Sequence, residues 1–387
     1  MSTRDRIGPP PPVEDPYAAL EVLDTLEVDP PVLGPASLDM PYRVVARDGA
    51  ETTLVLRVRW EEDVFVPGEP ESENLAAMVG VQAALNYGLF CRRLVLRGRF
   101  DPADRRLLAD MAENTAREIL VNRILTDNPF LRGAAVGLPR ALRDRYCRAR
   151  LEFPDGEPPA SLSWDGDPQR VLVLSSGGKE SLLSYGLLHE LGRDVHPVYI
   201  NESGRHWYTA LNAYRHFQQE VPHTARVWTD VDRLYNGMLR LLPFVRPDFQ
   251  RVRADSYPLR LWTVAVLVFA ALPLARRRGL GRLVIGDEHD TTVRSVDRGI
   301  THYHGLYDQS RWFDEALSRY YRRKGWGVLQ LSLLRPLSEL LIEKTLVERY
   351  PELQALQVSC HASRTVEDRA LPCGKCEKCR RVGGMLV

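Results

Sequence analysis

Residues 170–181 read RVLVLSSGGKES. A continuous apolar run, RVLVL, gives way at once to two serines and two glycines, and then to residues with helical spacing. An uninterrupted apolar run of this length predicts a strand buried on both faces, as in a parallel sheet. Gly177 and Gly178 let a backbone approach closely, and the helix that follows presents unpaired N–H groups at its start. Ser175, Ser176, Lys179 and Ser181 add further donors, so the segment predicts a phosphate-binding turn. It is not a Walker loop, because Glu180 follows Lys179 where Ser or Thr is required, and Val173 stands at the position of the first glycine.

Working outward, the strand–helix alternation continues. HPVYINES (196–203), TARVWTD (224–230) and RLVIGDE (282–288) read as strands, with helices at 179–191, around 207–220 and at 261–275. This predicts an α/β domain with a doubly wound parallel sheet over 170–387. The apolar run 261–275 is shorter than the roughly 18 to 20 residues of a membrane span and contains Pro273, so a buried helix is expected. Before it, PYRVVARDG and TTLVLRVRW read as a hairpin turning at Asp48-Gly49. RRLVLRG (92–98) follows as a strand between helices at 74–87 and 103–125, the second started by Asp101-Pro102. A smaller α+β domain is thus expected over 39–152. The Pro/Gly-rich stretch 153–169 reads as a linker, and 1–38, opening MSTRDRIGPPPPVEDP, as a disordered leader.

Of 387 residues, 52 are basic and 51 acidic, for a net charge of +1. That balance, with no basic aromatic stripe, argues against a nucleic-acid or membrane-surface partner and against a zinc-dependent RNA-binding module. The lack of a signal peptide or spanning segment leads to a cytoplasmic expectation. Cys91 and Cys147 are isolated, whereas Cys360, Cys373, Cys376 and Cys379 follow a C-x12-C-x2-C-x2-C pattern. Four thiolates so spaced suit a closed tetrahedral zinc site, here taken as a module at 358–381, and an iron–sulfur cluster accepts the same spacing. Arg380 and Arg381 follow the last thiol and can reach a phosphate.

The late strand ends in Asp287, Glu288, His289 and Asp290, and ITHYHGLYDQSRWFDE (300–315) follows. Ligands of an open parallel sheet bind at the carboxyl ends of strands, which places these groups beside the phosphate turn. Carboxylates there, Asp287 first, can hold Mg2+, and His289, Asp290, His302 and His304 are the candidate acid/base groups.

The turn resembles the pyrophosphatase loop, Ser-Gly-Gly-x-Asp-Ser, of the ATP pyrophosphatase superfamily, whose members have an adenine nucleotide α hydrolase-like fold. The resemblance implies that Ser176, Gly177, Gly178 and Ser181, with Lys179, bind the pyrophosphate of ATP, and that Glu180 stands in place of the usual aspartate. Loop and four cysteines in this order resemble cyano-deazaguanine synthase over 170–387, without the Tyr-Pro-Asp-Cys run of that family. Taken with GDEHD, GLYDQSRWFD, RPLSEL, SCHAS and PCGKCEKCRR, the chain from 40 to 387 is most similar to the UDP-N-acetylmuramoyl-L-alanyl-L-glutamate epimerase family. That resemblance implies an ATP-dependent isomerase acting on a UDP-sugar dipeptide in peptidoglycan synthesis. The terminal carboxylate would be adenylated, the acidified Cα deprotonated and reprotonated, and AMP and pyrophosphate released.

Overall fold

A computed structural model describes residues 15–158, 163–204, 207–252, 258–303, 306–360 and 362–386. The first half contains strands β1 (Leu23–Val28), β2 (Val32–Gly34), β3 (Ser37–Ala46) and β4 (Glu51–Trp60), helix α1 (Pro70–Val81), β5 (Cys91–Leu96), α2 (Pro102–Ile119) and β6 (Arg150–Glu152). The second half begins β7 (Asp167–Ser175), α3 (Lys179–Glu190), β8 (Asp194–Asn201), α4 (Trp207–Glu220), β9 (Ala225–Thr229), α5 (Val231–Arg240), α6 (Val264–Arg278) and β10 (Leu280–Val284). It continues with β11 (Arg294–Asp297), β12 (Ile300–Tyr303), α7 (Arg311–Lys324), β13 (Leu329–Leu331), α8 (Glu339–Arg349), α9 (Pro351–Gln354), β14 (Arg364–Val366), β15 (Arg369–Leu371) and α10 (Glu377–Met385).

Both halves contribute to one mixed, mostly parallel sheet in the order β13-β10-β7-β8-β9-β4-β3-β1-β5-β6, with β2 added on β3. The five strands from β13 to β9 are parallel to their neighbours, and helices cover both of their faces. Alternate residues of β7 show this: Val171 and Val173 pack with Leu188 of α3, while Leu172 joins the core that contains α6. The apolar stretch expected at 261–275 forms α6 three residues later at each end, ended by Gly279 at φ +62°. Its first amides, those of Val264 and Ala265, donate to Asp308 from far along the chain at 2.8 and 3.2 Å. Among the described residues no helix is long and apolar enough to cross a membrane.

The halves meet where β4 runs antiparallel to β9, with Val58 opposite Thr229 and Trp60 opposite Val227. The buried Asp230 carboxylate locks the register, accepting from the Arg57 backbone N–H at 2.7 Å and its guanidinium at 3.1 Å. A second tie lies behind the sheet edge. Lys324, at the end of α7 and 3% exposed, bonds to Asn74 Oδ1 at 3.1 Å, to Asp104 and to Asp101. Asp101 and Asp104 form the capping box of α2, so one ammonium fastens the second half to a helix start of the first.

Two sequence expectations are corrected here. The leader does not extend to residue 38. The described chain begins at Asp15, and β1 lies inside the sheet between β3 and β5 with Leu23, Leu26 and Val28 fully buried. Its polar members Asp24 and Glu27 face arginines, Arg92 at 3.6 Å and Arg43 at 2.6 Å, so acidity there marks an ion-paired sheet surface rather than disorder. The stretch 153–169 is anchored at its far end, where Trp164 stacks on Trp326 with centroids 4.4 Å apart and Asp167 already belongs to β7.

Removing the Lys324 ammonium leaves the buried Asp104 and the partly exposed Asp101 without their cation, a loss of the kind that costs about 3–5 kcal/mol. Lys324→Ala is therefore expected to lower the unfolding free energy by roughly that amount in chemical denaturation. A loss below about 1 kcal/mol would show that the tie is not structural.

Candidate functional site

The chain builds β7, β8 and β9 outward in one direction, then returns to place β10 and β13 on the other side of β7. Strand order thus reverses between β7 and β10, and loops leaving a parallel sheet at such a point diverge to open a crevice. Here the crevice is a cleft of about 300 Å3. Ser175, Ser176, Gly178, Lys179 and Glu180 from the turn after β7 line it, opposite Ile285, Gly286 and Asp287 from the loop after β10.

Two glycines allow these backbones to meet. Gly177 sits at φ +71°, and a Cβ there would lie 2.9 Å from the Cα of Ala210 and 3.0 Å from the Thr209 carbonyl, both backbone atoms of α4. At Gly286 a Cβ would lie 2.6 Å from the Glu180 Cβ and 3.0 Å from the Ser181 amide. Gly178 is the N-cap of α3 and has no side chain with which to cap it, so the first-turn amides are open to an anion in the cleft. The turn is therefore shaped by backbone contact on one side and open on the other.

Charge in the cleft is organised around Lys179, which is buried. Its ammonium bonds to Glu180 and, at 2.8 Å, to Glu339 Oε1 at the start of α8. Burial alone would lower its pKa, but the two carboxylates outweigh burial and hold the ammonium above its ordinary value. Burial, and then the nearby Glu180 charge, raise the Glu288 carboxyl. Asp287 is buried and raised well above the usual carboxylate range, against the pull of Arg335. Arg335 lies 3.4 Å from Asp287 and 2.6 Å from Asp314, and also donates to Thr291 at 2.6 Å and the Gln309 carbonyl at 2.7 Å. Glu202, leaving β8, reaches the cleft as well, and burial raises its pKa.

The residues singled out from sequence divide clearly. Ser176, Gly178, Lys179, Glu180 and Asp287 line the cleft. Gly177 and Ser181 support it from behind, the Ser181 hydroxyl donating to the Gly178 carbonyl at 3.0 Å rather than facing the cavity. His289 and Asp290 do not line it: the chain enters a 3-10 turn after Glu288, leaving their side chains 61% and 64% exposed. His302 sits in the β11–β12 hairpin, which packs by Tyr303 against Glu118 of α2, and is likewise absent from the cleft wall. His304 lies outside the described residues. Glu202, Glu339, Arg335 and Asp314 were not singled out as site residues because they come from separate elements, although GLYDQSRWFD and RPLSEL contain three of them. Ser310 and Ser338 cap α7 and α8, which carry Asp314 and Glu339.

No protein-family model matches this chain, and no curated protein matches it.

The four late cysteines do converge. Their sulfurs lie within 4.8 Å of one another, with Cys376–Cys379 at 3.4 Å and both Cys373–Cys379 and Cys360–Cys376 at 3.9 Å. Zn–S bonds of about 2.3 Å in a tetrahedron put sulfurs about 3.8 Å apart, so the cluster can hold a metal such as zinc. Backbone N–H groups stabilise thiolate: those of Ala362 and Cys373 point at the Cys360 sulfur at 3.2 Å, and those of Lys375 and Cys376 at the Cys373 sulfur at 3.4 Å. The Lys375 and Cys376 amides bring the Cys373 thiol down to about 6.

A second His/Asp group, Asp194, His196 and His223, lies at the amino end of β8, away from the cleft. Arg278 stands 3.3 Å from His196 Nδ1 and Arg170 bonds to Asp194 at 3.1 Å, so guanidinium groups take the place a cation would need.

Elemental analysis of purified protein is expected to find about one zinc per chain, and Cys376→Ser to reduce that content sharply. Protein that folds natively with no bound metal would contradict the assignment.

Proposed function

We propose that the cleft binds ATP by its phosphates and transfers the adenylyl group to a carboxylate, releasing pyrophosphate. The observation that carries this reading is the open turn Ser176–Lys179, glycine-packed from behind and standing at the strand-order reversal. Helix amides, the Ser176 hydroxyl and a buried ammonium are donors of the kind a polyphosphate requires. Burial and then the nearby Glu180 charge raise the Glu288 carboxyl, and a cation would relieve that repulsion, which supports a place for Mg2+ between nucleotide and protein. The resemblance of the loop to the ATP pyrophosphatase superfamily points the same way. Zinc at the four cysteines, with no open coordination position, would serve structure rather than chemistry.

The narrower reading is epimerisation of the terminal L-glutamate of UDP-N-acetylmuramoyl-L-alanyl-L-glutamate, supported by the resemblance of the later strings. Several of those strings have physical work near the cleft: Asp308 caps α6, Asp314 and Arg335 brace Asp287, and Glu339 holds Lys179. An acyl adenylate lacks the carboxylate charge that opposes enolate formation, so its α-proton becomes removable. Proton transfer would then fall to Glu202, a carboxyl on the cleft wall, with Glu288 just beyond Asp287 as the second candidate; burial raises both carboxyls, whereas His289 and Asp290 are exposed. A second reading is carboxylate activation by a deazapurine-type synthase, supported by the resemblance of the loop and the four cysteines, in that order, to cyano-deazaguanine synthase.

Incubation with ATP, Mg2+ and the UDP-muramoyl dipeptide in D2O separates these. Epimerisation predicts AMP, pyrophosphate, deuterium at glutamate Cα and D-glutamate. AMP formation without Cα exchange would favour the second reading, and no AMP with any carboxylate would contradict adenylation.

A further inference from the structure

Helix α10 buries no side chain of its own, yet Lys378, Arg381 and Val382 line the cleft. Their i, i+3, i+4 spacing puts them on one helix face. The helix is held by its thiols: Cys376 is its N-cap and Cys379 lies in its first turn, both clustered with Cys360, which itself lines the cleft. Arg381 Nε lies 3.2 Å from Glu339 Oε1, the oxygen that also accepts from Lys179 at 2.8 Å. One anionic oxygen thereby joins a cation of the phosphate turn to a cation of the cysteine module. A phosphoryl oxygen has the same charge and would satisfy the same two donors.

We propose that the cysteine module is the second half of the polyphosphate site. Lys378 and Arg381 bind the pyrophosphate end of the nucleotide opposite Lys179. Glu339 is a displaceable stand-in that holds Lys179 and Arg381 until polyphosphate replaces it. Thiolate ligation fixes the start of α10 and so sets where these two cations point, which gives an otherwise exposed helix a defined place on the cleft wall. The inference rests on the nucleotide reading above and adds to it which residues beyond the turn grip the phosphates.

Isothermal titration of metal-loaded protein with inorganic pyrophosphate and with ATP, both without Mg2+, tests it, with metal content measured for each variant. Arg381→Ala is expected to bind pyrophosphate about tenfold or more weakly at unchanged metal content, the scale of one charge-assisted hydrogen bond. Lys378→Ala is expected to weaken binding in the same direction, and Arg381→Lys to recover part of the loss. Glu339→Gln, which removes the competing anion, is expected to bind pyrophosphate several-fold more tightly. Equal affinity in Arg381→Ala and the parent, or weaker binding in Glu339→Gln, overturns this inference and leaves the nucleotide reading standing. Parent protein that binds neither pyrophosphate nor ATP removes both.

Discussion

The cleft depends on backbones meeting without side chains between them. Gly177 lets the turn after β7 lie against α4, and Gly286 lets the loop after β10 lie against the first residues of α3. Any Cβ at Gly177 meets backbone atoms at about 3 Å and also demands a left-handed conformation, which costs an ordinary residue roughly 1–2 kcal/mol before the clash is counted. These contacts bring two strand ends, more than a hundred residues apart in sequence, to one crevice. They also aim the start of α3 into it, so the geometry proposed to bind an anion is a property of the main chain before any side chain is considered.

Electrostatics then fill the space that the backbone creates. Burial works against the charge of Lys179, and Glu180 with Glu339 outweigh it. Asp287 is held by Arg335, which Asp314 and two oxygen acceptors fix in turn. The result is a densely charged wall whose members come from α3, α7, α8 and the loops after β10 and β13. In such a wall a charge without its partner is expensive, so the polyphosphate proposed to bind there would exchange partners rather than merely add contacts.

Much of this was legible in sequence, for identifiable reasons. RVLVL, short and β-branched between turn signals, pointed to a doubly covered strand, and Gly-Gly before a helix pointed to a close turn. The four cysteines announced a metal-competent cluster by spacing alone. The joining of the halves was not legible, because antiparallel pairing between β4 and β9 leaves no local mark in strands 165 or more residues apart. LDTLEV was hidden by its acidic residues, which are ion-paired on the sheet surface. His289 and Asp290 were grouped with Asp287 by adjacency, whereas a 3-10 turn after Glu288 sends them to solvent. Glu339 could not be assigned to Lys179 without the packing of α8 beside α3.

Hydrogen exchange of the backbone amides, measured with and without saturating ATP and Mg2+, tests the central claim most directly. If the turn grips phosphates with its main chain, exchange across residues 176–181 slows on ATP addition, together with residues 285–288 on the facing loop. Bound ATP that leaves 176–181 unchanged while protecting a different surface would contradict the account.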